Sequence, residues 1–164
     1  MFAYFQRIRE ILSQVEELES TSLAQAVEIL SDAIKKKQAI FIFGASHAGI
    51  LAEEMFYRAG GLVSINPIFG RELMLDTRPI SATSQMERLV GYGQLLAKKT
   101  PFKAGDVLIV HSVSGRNPVA VDLALAAKEN GVYVMALTNL TYSRATKSRH
   151  PSGQRLCEVA DLVL

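Results

Sequence analysis

This chain of 164 residues has no tryptophan and a single cysteine, Cys157. One thiol excludes an intramolecular disulfide, so the fold must rest on its core, and Cys157 reads as an inert, partly buried thiol. An excess of charge is lacking too. Lys and Arg number 18 against 16 Asp and Glu, a net charge of +2. That is not the basic balance of a nucleic-acid binder. The run Lys35-Lys36-Lys37 reads as the solvated end of a helix, where cations are favourable. No apolar run approaches the roughly eighteen residues of a membrane span. Residues 1–7 lack a basic segment leading into a long apolar one, so no signal peptide is expected. These absences predict a cytoplasmic protein that binds neither membrane nor nucleic acid. With 49% hydrophobic and 21% charged residues, the chain has the make-up of one globular domain.

Cofactor signals are also missing. Gly44-x-Ser46-x-x-Gly49 places serine where the dinucleotide fingerprint needs its second glycine. The strand expected to end near Ile65 carries no acid to hold a ribose. No Walker lysine follows a glycine-rich turn. His47, His111 and His150 are too far apart in sequence to form a local metal motif. Neither a cofactor nor a metal is expected.

What is present is an alternation of helices and short apolar runs. Phe5, Ile8, Leu12 and Val15, with Ile11 and Leu18 alongside, predict a helix over 2–19. Ser20-Thr21-Ser22 predicts a break. Ser22-Leu23-Ala24-Gln25 has the capping-box pattern, and Leu23, Val27, Leu30 and Ile34 predict a second helix. The expected layout is a helical hairpin over 2–37 and a sheet core over 38–164. Residues 39–43 predict a strand, 50–58 a helix, 62–65 a short strand, and 66–79 a long irregular segment. Ser84-Gln85-Met86-Glu87 predicts a capping box opening a helix to about Lys99. Residues 132–137 and 160–164 predict further strands. Such alternation implies a parallel sheet covered on both faces.

The centre of the chain is Val107 to Pro118. Four apolar residues run into His111-Ser112-Val113-Ser114-Gly115-Arg116, and Asn117-Pro118 then reads as an N-cap with proline at the first helical position. Strand, hydroxyl-rich turn and helix start direct backbone N–H groups and a dipole's positive end to one point, which suits an anion. In parallel sheets ligands bind beyond the carboxyl ends of the strands, so turns 44–49, 112–117 and 138–143 should gather there.

Ser112-Val113-Ser114-Gly115-Arg116-Asn117 resembles the phosphate loop of sugar isomerase (SIS) domains, Ser-x-Ser-Gly-x-Ser/Thr. Gly44 to Gly49 falls where those domains carry their first turn, with Ala48 in place of a second hydroxyl. Asp106 before the central strand fits the same pattern. Residues 52–62, 114–118 and 148–153 resemble an uncharacterised bacterial branch of these domains, similar to phosphoheptose isomerases. The resemblance covers nearly the whole chain. It implies a three-layer α/β sandwich of the flavodoxin-like kind, with a five-stranded parallel sheet between helices. It also implies a phosphorylated-sugar ligand and a homodimer or tetramer.

Ser112 and Ser114 are candidate phosphate ligands, together with Gly115, Arg116 and Asn117 of the same loop; the serines also suit turn amides, and Asn117 a helix cap. Ser46, in the first turn, is a candidate ligand contact or a bare N-cap. His47, at a helix start, is a candidate for proton transfer. Glu87 reads either as the partner of Ser84 in a capping box or as a general base, because relatives often place a carboxylate on this helix. Glu54 is a surface glutamate or the counterpart of the glutamate that phosphoheptose isomerases carry in an Ala-Glu-Glu segment. His150 and Arg149 are loop polars or contacts from the third turn. Two functions follow: a sugar-phosphate isomerase or lyase working by acid–base chemistry, or a non-catalytic sensor or partner-binding module holding the same ligand. The distinguishing feature is whether a carboxylate and an imidazole converge beside the serine turn.

Overall fold

In the computed structural model, which describes residues 2–164, the chain opens with a single helix, α1 (Ala3–Lys35). The hairpin expected over 2–37 is therefore one rod, about 50 Å long at 1.5 Å per residue. The physical reason is that nothing between Ala3 and Lys35 breaks a helix. There is no glycine or proline, and the three consecutive hydroxyl residues at 20–22 cost only a few tenths of a kcal/mol each. Ser20 Oγ donates back to Glu17 O (3.5 Å), so its hydroxyl is satisfied within the helix.

Next come β1 (Ile40–Gly44), α2 (Gly49–Met55), β2 (Ile65–Pro67), α3 (Ser81–Met86), α4 (Tyr92–Lys99) and β3 (Val107–His111). The chain ends with α5 (Pro118–Glu129), β4 (Tyr133–Leu137), α6 (Leu140–Ala145), α7 (Leu156–Val159) and β5 (Leu162–Val163). The five strands form one sheet in the order β2-β1-β3-β4-β5, with every pairing parallel. This is the α/β architecture the alternation implied. The helix expected from Ser84 to Lys99 is split in two. Gly91 adopts φ 84° between α3 and α4, and its N–H donates to Asp122 Oδ2 (2.6 Å). Gly91 is the N-cap of α4, and a positive φ there is cheap only for glycine.

The sheet is buried on both faces, and its side chains alternate between them. Phe41, Phe43, Leu108, Val110, Val134 and Ala136 pack with α4, α5 and α7. Ile40, Ile42, Val107, Ile109, Met135 and Leu162 face the other way, toward Ala26 and Ala33 of α1 and Ala52 of α2. Asp106 is buried at the amino end of β3. It accepts from Ala39 N (2.9 Å) and Lys103 N (2.8 Å), which fixes the edge opposite the serine turn.

Only the second half of α1 rests on this core. Residues 3–18 are exposed throughout, and Phe5, Ile8, Ile11, Leu12, Val15 and Leu18 show 38 to 73% of their surface. No helix among the described residues is long and apolar enough to cross a membrane.

Candidate functional site

Strand order turns outward between β1 and β3, with β2 on one side and β4 and β5 on the other. The carboxyl ends of these two strands therefore open a crevice, as the loops of adjacent parallel strands diverge. A cavity of about 230 Å³ occupies it. Its polar lining is Ser46 and His47 from the first turn, Glu87 after α3, and His111, Ser112, Ser114 and Asn117 at and beyond the end of β3; Tyr142 of α6 closes one side.

The first turn is unusually tight. A Cβ on Gly44 would sit 2.2 Å from Ala48 O, so only glycine permits this return of the chain. Ser46 is held at φ 52°, a conformation uncommon outside glycine. Its compensation is visible: Ser46 Oγ donates to Glu87 Oε1 (2.5 Å). Asn117 Nδ2 donates to the other oxygen, Glu87 Oε2 (2.6 Å). Glu87 thus bridges the two loops that carry the site. Its main chain takes part as well, with Glu87 O accepting from Val119 N (3.3 Å) in the first turn of α5. The capping box expected with Ser84 does not form, because Ser84 lies inside α3 rather than at a helix start.

Asn117 occupies the N-cap of α5 without a side-chain cap bond. Its amide is used between Glu87 and Arg149, whose Nη1 donates to Asn117 Oδ1 (2.9 Å). Ser112 Oγ accepts from Gly115 N (3.2 Å), the turn-satisfying role weighed for it, while its own hydroxyl proton stays available to a ligand. Gly115 (φ 59°) is buried and lies outside the cavity lining, its carbonyl accepting from Leu156 N (2.7 Å). Among the described residues the Ser114 hydroxyl makes no hydrogen bond within the chain.

The structure brings together six of the sequence candidates: Ser46, His47, Glu87, Ser112, Ser114 and Asn117. It places five others outside the cavity lining: Glu54, Gly115, Arg116, Arg149 and His150. Glu54 is exposed on α2 and pairs with Arg58, three residues beyond the end of that helix. His150 turns away from the cavity: Nε2 meets Asp122 Oδ1 (3.0 Å) and Nδ1 meets Ser152 Oγ (2.7 Å). This ties the loop after α6 to α5, since Asp122 is buried. Gly115 and Arg116 belong to the serine loop but do not line the cavity. Arg116 Nε is buried with no hydrogen-bond partner. Arg149 is lowered from the ordinary guanidinium range by burial and then by neighbouring Arg116 and Arg88, with Tyr142 and Glu87 acting in the opposite sense.

His111 was considered only as a metal ligand, yet it lines the cavity. Its Nδ1 lies 3.0 Å from Ala48 O. A carbonyl only accepts, so Nδ1 carries the proton in that bond and a neutral ring offers Nε2 as an acceptor. The available signal was position: the last residue of a central parallel strand lies at the mouth of the crevice. Tyr142 gave no such signal.

The fold and the serine turn define a class, and the chain belongs to it: residues 3–139 match the SIS domain family. Within that family it is 53% identical over 161 residues to the UPF0309 protein of Shouchella clausii, covering 98% of this chain and 65% of that protein. It is 50% identical over 164 residues to the UPF0309 protein of Oceanobacillus iheyensis, covering all of this chain and 67% of the relative. The chain thus spans about two thirds of the length of the curated relatives it matches. Among solved structures the fold is similar to a phosphoheptose isomerase from Francisella tularensis, with a TM-score of 0.63 at 15% identity over 96% of this chain and 86% of that one. It is also similar to phosphoheptose isomerase from Neisseria gonorrhoeae, with a TM-score of 0.60 at 22% identity over 90% and 79%.

Proposed function

We propose that this domain holds a phosphorylated sugar in the crevice, in the cytoplasm, and moves a proton at the carbon next to the sugar's carbonyl. Aldose–ketose isomerisation and the related lyase reaction both begin this way. The observation that carries the reading is convergence: one carboxylate, Glu87, and two imidazoles, His47 and His111, line the same small cavity as the serine turn. The fold likeness to phosphoheptose isomerases agrees with it.

The phosphate would lie against Ser112 and Ser114 at the start of α5, where hydroxyl donors and the helix dipole favour an anion. Glu87 would accept the proton as general base. Its hydrogen bonds from Ser46 and Asn117 position the carboxylate. His47, exposed at the rim, would supply a proton to the sugar oxygen, and His111 Nε2 would accept a hydrogen bond from a sugar hydroxyl. The test follows solvent deuterium entering a panel of sugar phosphates. Exchange supports the enzyme; binding without exchange across the panel would replace it with a non-catalytic sensor.

Ser114→Ala should weaken sugar-phosphate affinity about ten- to a hundred-fold, the loss of one charge-assisted hydrogen bond of roughly 1.5–3 kcal/mol. Thermal stability should stay close to that of the parent, because the hydroxyl has no partner within the chain. Calorimetric titration of parent and variant measures the first effect; equal affinities would contradict a phosphate role for this loop.

The assembly we propose is a homodimer built on the first half of α1. Six large apolar side chains exposed along one rod are more than a solvated helix needs, and such patches mark interfaces. Sedimentation at micromolar concentration should give twice the chain mass of 18.0 kDa. Leu12→Glu with Val15→Glu should return it to a monomer, and a parent that sediments as a monomer would contradict the proposal.

A further inference from the structure

Beside the cavity, on its Glu87–Asn117 side, stand three arginines that outnumber the one carboxylate among them. Arg149 Nη1 reaches Asn117 Oδ1 (2.9 Å) and Arg149 N donates to Arg116 O (2.9 Å), so these two are held against the start of α5. Arg88 directly follows Glu87. Among the described residues none of the three forms an ion pair; the ion pairs present involve other arginines, lysines and His150. Arg116 Nε is buried without an acceptor, which is costly unless something else supplies one. Arg116, Arg88, Tyr142 and Glu87 also act electrostatically on Arg149. The single carboxylate among them, Glu87, is already engaged by Ser46 and Asn117.

Three cations gathered around one committed carboxylate are mutually repulsive. Such a cluster is costly for a free domain and favourable once an anion is present. The serine turn lines the cavity, which none of the three arginines does, and is suited to a phosphate of its own. We infer that Arg88, Arg116 and Arg149 form a second anion subsite, so that the preferred ligand is a sugar phosphate carrying a further acidic group, a carboxylate or a second phosphate. The planar guanidinium fork suits either oxyanion. The inference rests on the proposed sugar-phosphate site and narrows its substrate class. It also gives Arg149 a double duty: through Asn117 it connects the acidic end of the ligand with the carboxylate proposed as base.

The test is calorimetric titration of the whole chain at low ionic strength with two matched pairs. Fructose monophosphate is set against fructose bisphosphate, and sorbitol phosphate against phosphogluconate. The doubly acidic member should bind about tenfold or more tightly, and added salt should narrow that ratio, since the arginines lie at a solvated rim. A preference confined to the first pair assigns a second phosphate, and one confined to the second pair a carboxylate. In Arg88→Gln and Arg149→Gln, both at exposed positions, the ratio should fall toward one. These two carry the test even if Arg116→Gln does not fold. Monophosphates that bind with no preference in either pair would overturn this inference and leave the sugar-phosphate site standing. A preference that survives both variants would overturn the assignment to these arginines. Failure of every sugar phosphate to bind would overturn the proposed function, and this inference with it.

Discussion

Glu87→Gln is expected to lower turnover by roughly a hundred-fold or more while the fold and ligand binding persist. Glutamine keeps one oxygen to accept from Asn117 Nδ2, and its amide can donate to Ser46 Oγ, because a hydroxyl both donates and accepts. The bridge between the two loops therefore survives, and only the basic carboxylate is removed. Deuterium exchange into bound sugar phosphate, measured beside calorimetric affinity, separates the two roles. Parental exchange in the variant would reduce Glu87 to a structural bridge. Glu54→Gln makes the contrast: Glu54 is exposed and paired with Arg58 outside the cavity, so its exchange rate should match the parent's.

The second large effect is on stability. Gly93→Ala should cost about 3 kcal/mol, because the new Cβ would lie 2.2 Å from Val119 O, 2.6 Å from Asp122 Cβ and 2.7 Å from Leu123 N. Two of these are backbone atoms of α5 and cannot rotate aside. For a domain of this size the loss corresponds to a melting point lower by about 10 °C. Moving α4 off α5 would also disturb the Glu87 O to Val119 N bond and hence the carboxylate, so activity should fall with stability. Gly60→Ala is the control. It has φ 77° but nothing within 4 Å, and it should cost only about 1 kcal/mol in backbone strain. Chemical denaturation of both variants checks the ranking; a Gly93→Ala protein as stable as the Gly60→Ala one would mean that the helices can part without penalty.

The strand and loop around Ser112 were legible because their signals are local. A short β-branched run can only be a buried strand here, and Asn-Pro can only start a helix or a turn. The two misplaced helix boundaries have local causes of another kind. Hydroxyl residues at 20–22 weaken a helix without ending it, and α1 runs on. Gly91 sits inside an apolar-periodic stretch, and its effect depends on Asp122, thirty-one residues later, receiving its N–H. Glu87 illustrates the same limit at the site. Its spacing from Ser84 was a correct pattern for a cap, but the helix begins earlier, at Ser81, and that frees the carboxylate for other partners.

By itself, the sequence determined the parallel α/β class, the position of the serine turn at a strand's carboxyl end, and the absence of a disulfide within the chain. Each of these follows from residues within a dozen positions of one another, or from a count. Only the tertiary structure decided which of two glutamates and which of three histidines enter the crevice. It alone joined Ser46 to Glu87, forty-one residues apart, and set Arg88 and Arg149 beside Arg116. Those choices depend on how helices lie across the sheet. That is settled by close packing at Gly93 and by which side chains the two faces can bury, and neither is written in the spacing of any one segment.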